Sequence, residues 1–344
     1  MRDADSQIQE SVGKGENMTG VVISGPTGAI GMALIEKCIR ENTRVLAICH
    51  KGSARMRKIP ESLLVRVVEA DLADYRQLFR EEDDMSLSLP AEPGRYDVFY
   101  HFAWSGTTGE ARNDMHLQTD NIAYTMDAVD LAERLGCHTF IGAGSQAEYG
   151  RVDGTLTSDI PVHPENGYGM AKLCAGQMSR VVCERKRIRH IWTRILSVYG
   201  PYDGSGSMVM SAVRKIRNGE PTAFTPGEQM WDYLYSRDAA EIFYALGEKG
   251  RDGAVYCVGS GQARELKSYI RDIDAVIRED RGEQTVETEE EQEKRLGIGL
   301  LPYAEKQVMY LCADTTLLEE QIGPIPHTDF KEGILSILKA SEEY

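Results

Sequence analysis

The sequence predicts an α/β chain built on a doubly wound parallel sheet, with a smaller α/β region toward the C-terminus. Three observations carry that reading. Short apolar runs rich in β-branched residues, such as Val21-Val22-Ile23 and Val45-Leu46-Ala47-Ile48, are continuously hydrophobic, as strands covered on both faces are. They alternate with stretches of helical period, the order that builds parallel sheets. The first run also leads straight into Gly25-Pro26-Thr27-Gly28-Ala29-Ile30-Gly31 and then a helical segment, Met32 to Ile39. Strand, glycine-rich turn and helix together aim backbone amides at an anionic group, the arrangement of a Rossmann-type dinucleotide site.

Composition sets the outer limits. A chain of 344 residues, 42% apolar, holds one large α/β domain or up to two ordinary ones. A net charge of -15 and a pI near 5.0 argue against general binding to nucleic acid or an anionic membrane. The seven cysteines (Cys38, Cys49, Cys137, Cys174, Cys183, Cys257 and Cys312) are scattered, odd in number and never in C-x-x-C spacing. That usage points away from a disulfide framework or a metal site and toward a reducing, cytoplasmic setting. No segment approaches the run of about 18 apolar residues that a membrane span needs.

Along the chain, residues 1–17 are polar and aperiodic and read as a disordered leader, with Met18 as the natural start. The second strand, Arg44 to Cys49, ends at His50-Lys51-Gly52-Ser53 with Arg55 and Arg57 nearby. An NAD site usually places an acid there for the ribose 2′-hydroxyl, whereas cations suit a 2′-phosphate, so NADP(H) is favoured over NAD(H). A third strand, Leu64 to Val68, runs into Asp71, placed to face the adenine; residues 80–94 are acidic, punctuated by Pro and Gly, and read as loop. The fourth strand, Asp97 to His101, continues as Phe102-Ala103-Trp104-Ser105-Gly106 along the cofactor, with His101 read as a packed strand-end residue. Asn121 to Leu135 is an amphipathic helix, and Thr139 to Ser145 is the strand that delivers Ser145 to the carboxyl edge of the sheet, where open α/β sheets bind ligands.

The chemistry is expected at Ser145, Tyr168 and Lys172. Tyr168 and Lys172 are four residues apart and rise from one face of a helix. A phenol of pKa about 10 is a poor acid or base at neutral pH, and a neighbouring ammonium favours the phenolate and brings it toward the working range. Ser145 then hydrogen-bonds the oxygen whose proton is exchanged. Farther on, Met208 to Asn218 reads as a helix, Pro221 to Pro226 as extended chain, Ser236 to Leu246 as a helix capped by its serine, and Val255 to Gly259 as a return to the parallel sheet. The Glu-rich stretch from Gly282 to Arg295 is assigned no chemistry.

From about residue 20 onward the sequence resembles the extended short-chain dehydrogenase/reductases that act on nucleotide sugars. The marks are Gly25, Gly28 and Gly31; Asp71; His101-Phe102-Ala103; Asn121; Ser145-Gln146-Ala147-Glu148-Tyr149-Gly150; Tyr168 to Lys172; and Arg194-Ile195-Leu196-Ser197-Val198-Tyr199-Gly200-Pro201. The resemblance implies a triad of Ser145, Tyr168 and Lys172, with Tyr168 as acid/base, Lys172 also on the nicotinamide ribose, and hydride transfer to or from a sugar carbon. The cofactor-binding set is then Gly25, Thr27, Gly28, Ala29, Ile30, Gly31, His50, Lys51, Arg55, Asp71, Leu72, Phe102, Ala103, Trp104, Asn121, Tyr168, Lys172 and Leu196. Trp104, Ser145, Gln146, Ser197 and Trp231 face the substrate. Residues 18–190 form the dinucleotide-binding domain, its sheet completed by segments near 191–200 and 232–260; 201–231 and 261–344 form the substrate-binding region. The family also implies a homodimer through the helices carrying residues 121–135 and 168–185.

Departures from the family pattern narrow the reaction. Sugar 4,6-dehydratases carry an Asp-Glu pair directly after the catalytic hydroxyl residue; Gln146-Ala147 stands there, and Glu148 comes one position later. That leaves 4-keto reduction, which the basic 50–57 segment favours, or 4-epimerisation with retained NAD; a dinucleotide-binding regulator without turnover is the reading from another class. Ser197 replaces the usual Asn, and Trp231 stands where an Arg often holds the diphosphate. Arg214, Lys215, Arg217 and Arg264 are the candidate replacement cations.

Overall fold

The computed structural model describes residues 18–78, 96–283 and 287–342. The leader at 1–17, the loop expected at 80–94 and part of the Glu-rich stretch lie outside the described residues. Eleven described strands are β1 Gly20–Ser24, β2 Arg44–Cys49, β3 Val65–Glu69, β4 Val98–His101, β5 Thr139–Ser145, β6 Arg189–Ile195, β7 Ser197–Tyr199, β8 Met230–Tyr235, β9 Val255–Val258, β10 Ala263–Glu265 and β11 Tyr310–Leu311. The described helices are α1 Ala29–Arg40, α2 Met115–Arg134, α3 Gly167–Lys186, α4 Met208–Arg217, α5 Ser236–Lys249, α6 Leu266–Asp280, α7 Glu289–Leu296, α8 Thr316–Ile322 and α9 Phe330–Glu342.

A parallel sheet in the order β3-β2-β1-β4-β5-β6-β9 forms the body, its strand order reversing between β1 and β4. Strand side chains alternate faces, and the core divides accordingly. Val21, Ile23, Val45, Ala47, Val98 and Tyr100 pack with α1 and α5. Val22, Leu46, Ile48, Phe99 and Phe140 pack on the other side with α2 and α3. This is the doubly wound α/β architecture.

Three elements depart from the sequence reading. First, α2 starts six residues before Asn121, because the Asp114 carboxylate accepts from the amides of His116 and Leu117, both at 3.1 Å. Second, Ser236 is the first residue of α5, and Tyr235 holds the cap position without a side-chain bond. Strand β8 runs directly into the helix and leaves no loop residue to cap it. Third, of the segments expected to complete the large sheet, β6 and β9 join it, whereas β7 and β8 pair with each other in a second sheet that includes β10 and β11. That second sheet and α4, α6 and α9 enclose a separate core around Tyr199, Ile270, Phe330 and Ile334. Asp232, buried in β8, ties this region together by accepting from the amides of Ser260, Gly261 and Ala313 at 2.8–3.0 Å.

Candidate active site

The glycine turn after β1 is shaped by close backbone approach. Gly25 has φ +69°, and a Cβ there would lie 2.7 Å from the Ala103 amide nitrogen. A Cβ at Gly31 would lie 2.7 Å from Gly25 O and from Pro26. Gly28 differs: it caps α1 at φ -83°, and a Cβ on it would meet only Gly25 O, at 3.9 Å. The first helical bond runs from Met32 N to Gly28 O, so the amides of Ala29, Ile30 and Gly31 precede it and are free to bind an anion. No side chain caps this end, and its first turn carries no acid. Thr27, Ala29 and Ile30 are all half-buried along this turn. An open glycine beside uncapped amides fits a dinucleotide pyrophosphate.

At the end of β2, His50 is 80% exposed and its Nε2 lies 3.5 Å from Asp71 Oδ1. Lys51 Nζ pairs with Asp74 at 2.7 Å, its amide donates to Asp71 at 3.1 Å, and Arg55 donates to the carbonyls of Tyr202 and Asp203. The basic segment is therefore interleaved with carboxylates, which dilutes its positive potential. Leu72 sits half-buried in the turn that Asp71 caps.

After β4 the chain turns along the mouth of the sheet. The Phe102 ring packs edge-on against Phe243, with ring centres 4.9 Å apart. Asn121 of α2 is buried, and its amide grips Ser105 by accepting from Ser105 N and donating to Ser105 O, both at 2.9 Å. Gln118 accepts from the Trp104 indole at 2.9 Å. Asn121 and Gln118 thus fix the loop that presents Trp104. His101 is buried between Ser24 and Thr125; burial, then the Lys172 charge, pulls its pKa to about 3 and keeps it neutral.

Tyr168 and Lys172 lie in the first turns of α3, which is started by Asn166 accepting from Gly169 N at 2.8 Å. Lys172 is 3% exposed, donates to Ala143 O at 2.5 Å, and lies 3.7 Å from the centre of the Trp104 ring. Burial pulls the ammonium down to about 7, and the Glu148 charge partly counters this. Trp104 meets Tyr168 edge-on, with centres 6.1 Å apart, and the Arg112 guanidinium covers the Tyr168 ring at 4.2 Å. Burial raises the phenol above its ordinary value, while a hydrogen bond with Ser145 and the Arg112 charge lower it. Ser145 Oγ also accepts from Ala147 N at 3.1 Å. A continuous wall therefore runs from Gly25 through Ala103 and Trp104 to Lys172, Tyr168 and Ser145, at the carboxyl ends of β1, β4 and β5.

On the far side, Leu196 is buried between Tyr149, Cys257 and Leu311, and Gln146 follows Ser145 half-buried. Ser197 and Trp231 are bonded to each other, indole to hydroxyl at 2.8 Å. Of the candidate replacement cations, Arg214 pairs with Glu220 and Arg264 with Asp272. Sequence reading missed Arg112, which no local pattern ties to Tyr168. It also missed the role of Glu148, whose spacing from Ser145 is that of a capping box. Among the described residues, no helix is long and apolar enough to cross a membrane.

With this geometry in place, the chain belongs to the NAD dependent epimerase/dehydratase family, whose model matches residues 21–259. Among curated relatives, it is 24% identical over 261 residues to an uncharacterized UDP-glucose epimerase, YtcB, of Bacillus subtilis (strain 168), covering 74% of this chain and 81% of that one. It is also 24% identical over 267 residues to dTDP-4-dehydro-6-deoxyglucose reductase of Escherichia coli, with the same coverage. Among solved structures, a UDP-N-acetylglucosamine 4-epimerase from Methanobrevibacter ruminantium M1 superposes with a TM-score of 0.77 at 19% identity, covering 95% of this chain and 99% of that chain. That likeness shows the fold.

Proposed function

We propose that this chain is an NAD(P)-dependent oxidoreductase of nucleotide-activated sugars that reduces a 4-keto group, with Tyr168 as the acid. The observation that carries the reading is the half-buried phenol flanked by Ser145, Lys172 and Arg112 beside the glycine turn. The nicotinamide, when bound, supplies the hydride. Tyr168 Oη gives its proton to the ketone oxygen as that oxygen gains charge, so C=O becomes CH–OH, and solvent later reprotonates the phenolate. Ser145 Oγ donates a hydrogen bond to the same oxygen and fixes it in line with the phenol. Lys172 and Arg112 stabilise the phenolate left behind.

Gln146 and Ala147 argue for simple proton transfer, since elimination of water calls for an additional acid and base at these positions. The NADP(H) preference rests on His50 with Lys51 and Arg55, and the pairing of Lys51 with Asp74 and the proximity of Asp71 to His50 reduce its support. The second reading is 4-epimerisation with retained NAD, favoured by the similarity to the uncharacterized UDP-glucose epimerase of Bacillus subtilis. A homodimer through α2 and α3 is supported by the exposed apolar stripe of Met170, Met178 and Val181 on α3, beside exposed Met115 at the start of α2. We place the protein in the cytoplasm on its cysteine usage.

The test is to mix purified protein with NADPH or NADH and a panel of 4-keto nucleotide sugars. A reductase consumes reduced cofactor stoichiometrically. An epimerase interconverts 4-hydroxy sugars without net consumption. Tight cofactor binding with no turnover across the panel favours the regulator.

A further inference from the structure

The carboxylate of Glu148 does not face the crevice. It lies fully buried behind Ser145, on the 3-10 turn Gln146–Glu148 that follows β5. One oxygen accepts from the Ser145 amide at 2.9 Å and from the Trp192 indole at 3.0 Å, and the other accepts from Arg194 Nε at 3.0 Å. Burial pushes the carboxyl above its ordinary value, and all three partners are donors that oppose this and favour the anion. Its construction draws on three other elements. A Cβ on Gly142 or Gly144 of β5, or on Gly176 of α3, would run into the Trp192 side chain. Three small residues thus open the slot that lets the indole of β6 reach the carboxylate.

We infer that Glu148 is a positioning residue: it pins the main chain of Ser145 and sets a fixed negative charge behind Lys172, completing the site from the side away from substrate. The inference rests on the proposed oxidoreductase reading of the triad and adds to it a second layer. Glu148 is bonded to Ser145 through the backbone, so loss of the carboxylate frees the serine to turn. Through space, its charge favours the ammonium of Lys172, which burial opposes. The other charged or titratable groups around it are Arg194 and His190 on β6, Arg180 at the edge of the small cavity behind it, Tyr149 on its own turn, Cys257 on β9 and Tyr168 on α3. Burial pulls His190 to about 4 and keeps it neutral at working pH. Arg194 is therefore the ion-pair partner, and Lys172 and Tyr168 are the groups in the crevice that feel the carboxylate, so the Lys172 titration rather than the rate profile alone reads its effect on the ammonium.

The experiment compares wild type with Glu148→Gln. Lysine labelled with carbon-13 at Cε reports the Lys172 titration by NMR, assigned with Lys172→Met and read without substrate. In Glu148→Gln the Lys172 midpoint falls by about one unit, which reads as about tenfold less ammonium at any pH above both midpoints. The alkaline limb of kcat/KM with NADPH and a 4-keto nucleotide sugar moves down with it. Glu148→Asp, which keeps the charge, stays close to wild type. Should Glu148→Gln fold poorly because Arg194 is stranded, Glu148→Gln with Arg194→Met removes both charges and decides the matter. A Lys172 midpoint that stays in place or rises, with activity lost equally at every pH, overturns the inference. If no sugar in the panel turns over, the oxidoreductase reading fails, while the NMR titration still decides the electrostatic role of Glu148.

Discussion

Two alanine substitutions in one turn should have opposite consequences. In Gly25→Ala, the backbone stays at φ +69°, which costs an L-residue about 1–2 kcal/mol, and the new Cβ lies 2.7 Å from Ala103 N and 2.9 Å from Ala103 Cα. Overpacking against backbone adds about 1–3 kcal/mol, so the fold should lose about 2–5 kcal/mol. In Gly28→Ala, φ is -83° and the Cβ meets only Gly25 O at 3.9 Å, so the folded chain accepts it. Reduced freedom of the unfolded chain makes stability equal to wild type or greater by about 0.4–1 kcal/mol. That Cβ instead occupies the open side where the pyrophosphate would approach. An equivalent steric penalty of about 1–3 kcal/mol then appears in binding, weakening the cofactor about 5- to 150-fold. Urea denaturation gives the first quantity and isothermal titration with NADPH and NADH gives the second. Unchanged cofactor affinity in a stable Gly28→Ala protein would mean that this is only a tight strand-to-helix turn, and the dinucleotide assignment would be refuted.

Three further outcomes follow from the same geometry. Replacing Arg112 by Gln removes the cation over the Tyr168 ring, so the phenol should titrate at higher pH, seen as a near-ultraviolet difference between this variant and its Tyr168→Phe counterpart; no movement would remove Arg112 from the site. Lys172 loses its charge as pH rises through about 7 in the free enzyme, so kcat/KM for keto reduction should fall above that pH, and a flat profile up to pH 9 would contradict the burial of the ammonium. His50→Asp should shift cofactor preference toward NADH, measured as the ratio of kcat/KM values for the two reduced cofactors, whereas an unchanged ratio would show that the end of β2 does not read the 2′ position.

The body of the fold was legible because the central strands are covered on both faces. Continuous apolar runs bounded by polar residues marked β2 and β5 to the residue, and β3 and β4 to within one. Where local pattern and tertiary context part, reading failed. The first turn of α2 sets its apolar residues, Met115 and Leu117, two apart rather than at helical spacing and hid its start, and β8, although apolar and followed by a helix like a sheet strand, pairs with β7, β10 and β11 instead. The site divides in the same way. The glycine turn and the four-residue spacing of Tyr168 and Lys172 are local and visible in sequence. The stacking of Arg112 on Tyr168, the Trp104 ring over Lys172 and the slot for Trp192 join segments far apart in the chain, and no spacing rule encodes them. Glu148 lay between: its distance from Ser145 was readable as a turn cap, and only its burial beside Arg194 revealed a charge placed behind the site.

The most direct measurement of the central claim is a single turnover with reduced dinucleotide deuterated at the nicotinamide C4 and a 4-keto nucleotide sugar, with the product analysed by mass. Wild type should carry one deuterium into the sugar, and Tyr168→Phe, with cofactor affinity unchanged, should do so about 100- to 10,000-fold more slowly. Equal rates of deuterium transfer in the two proteins would contradict the account.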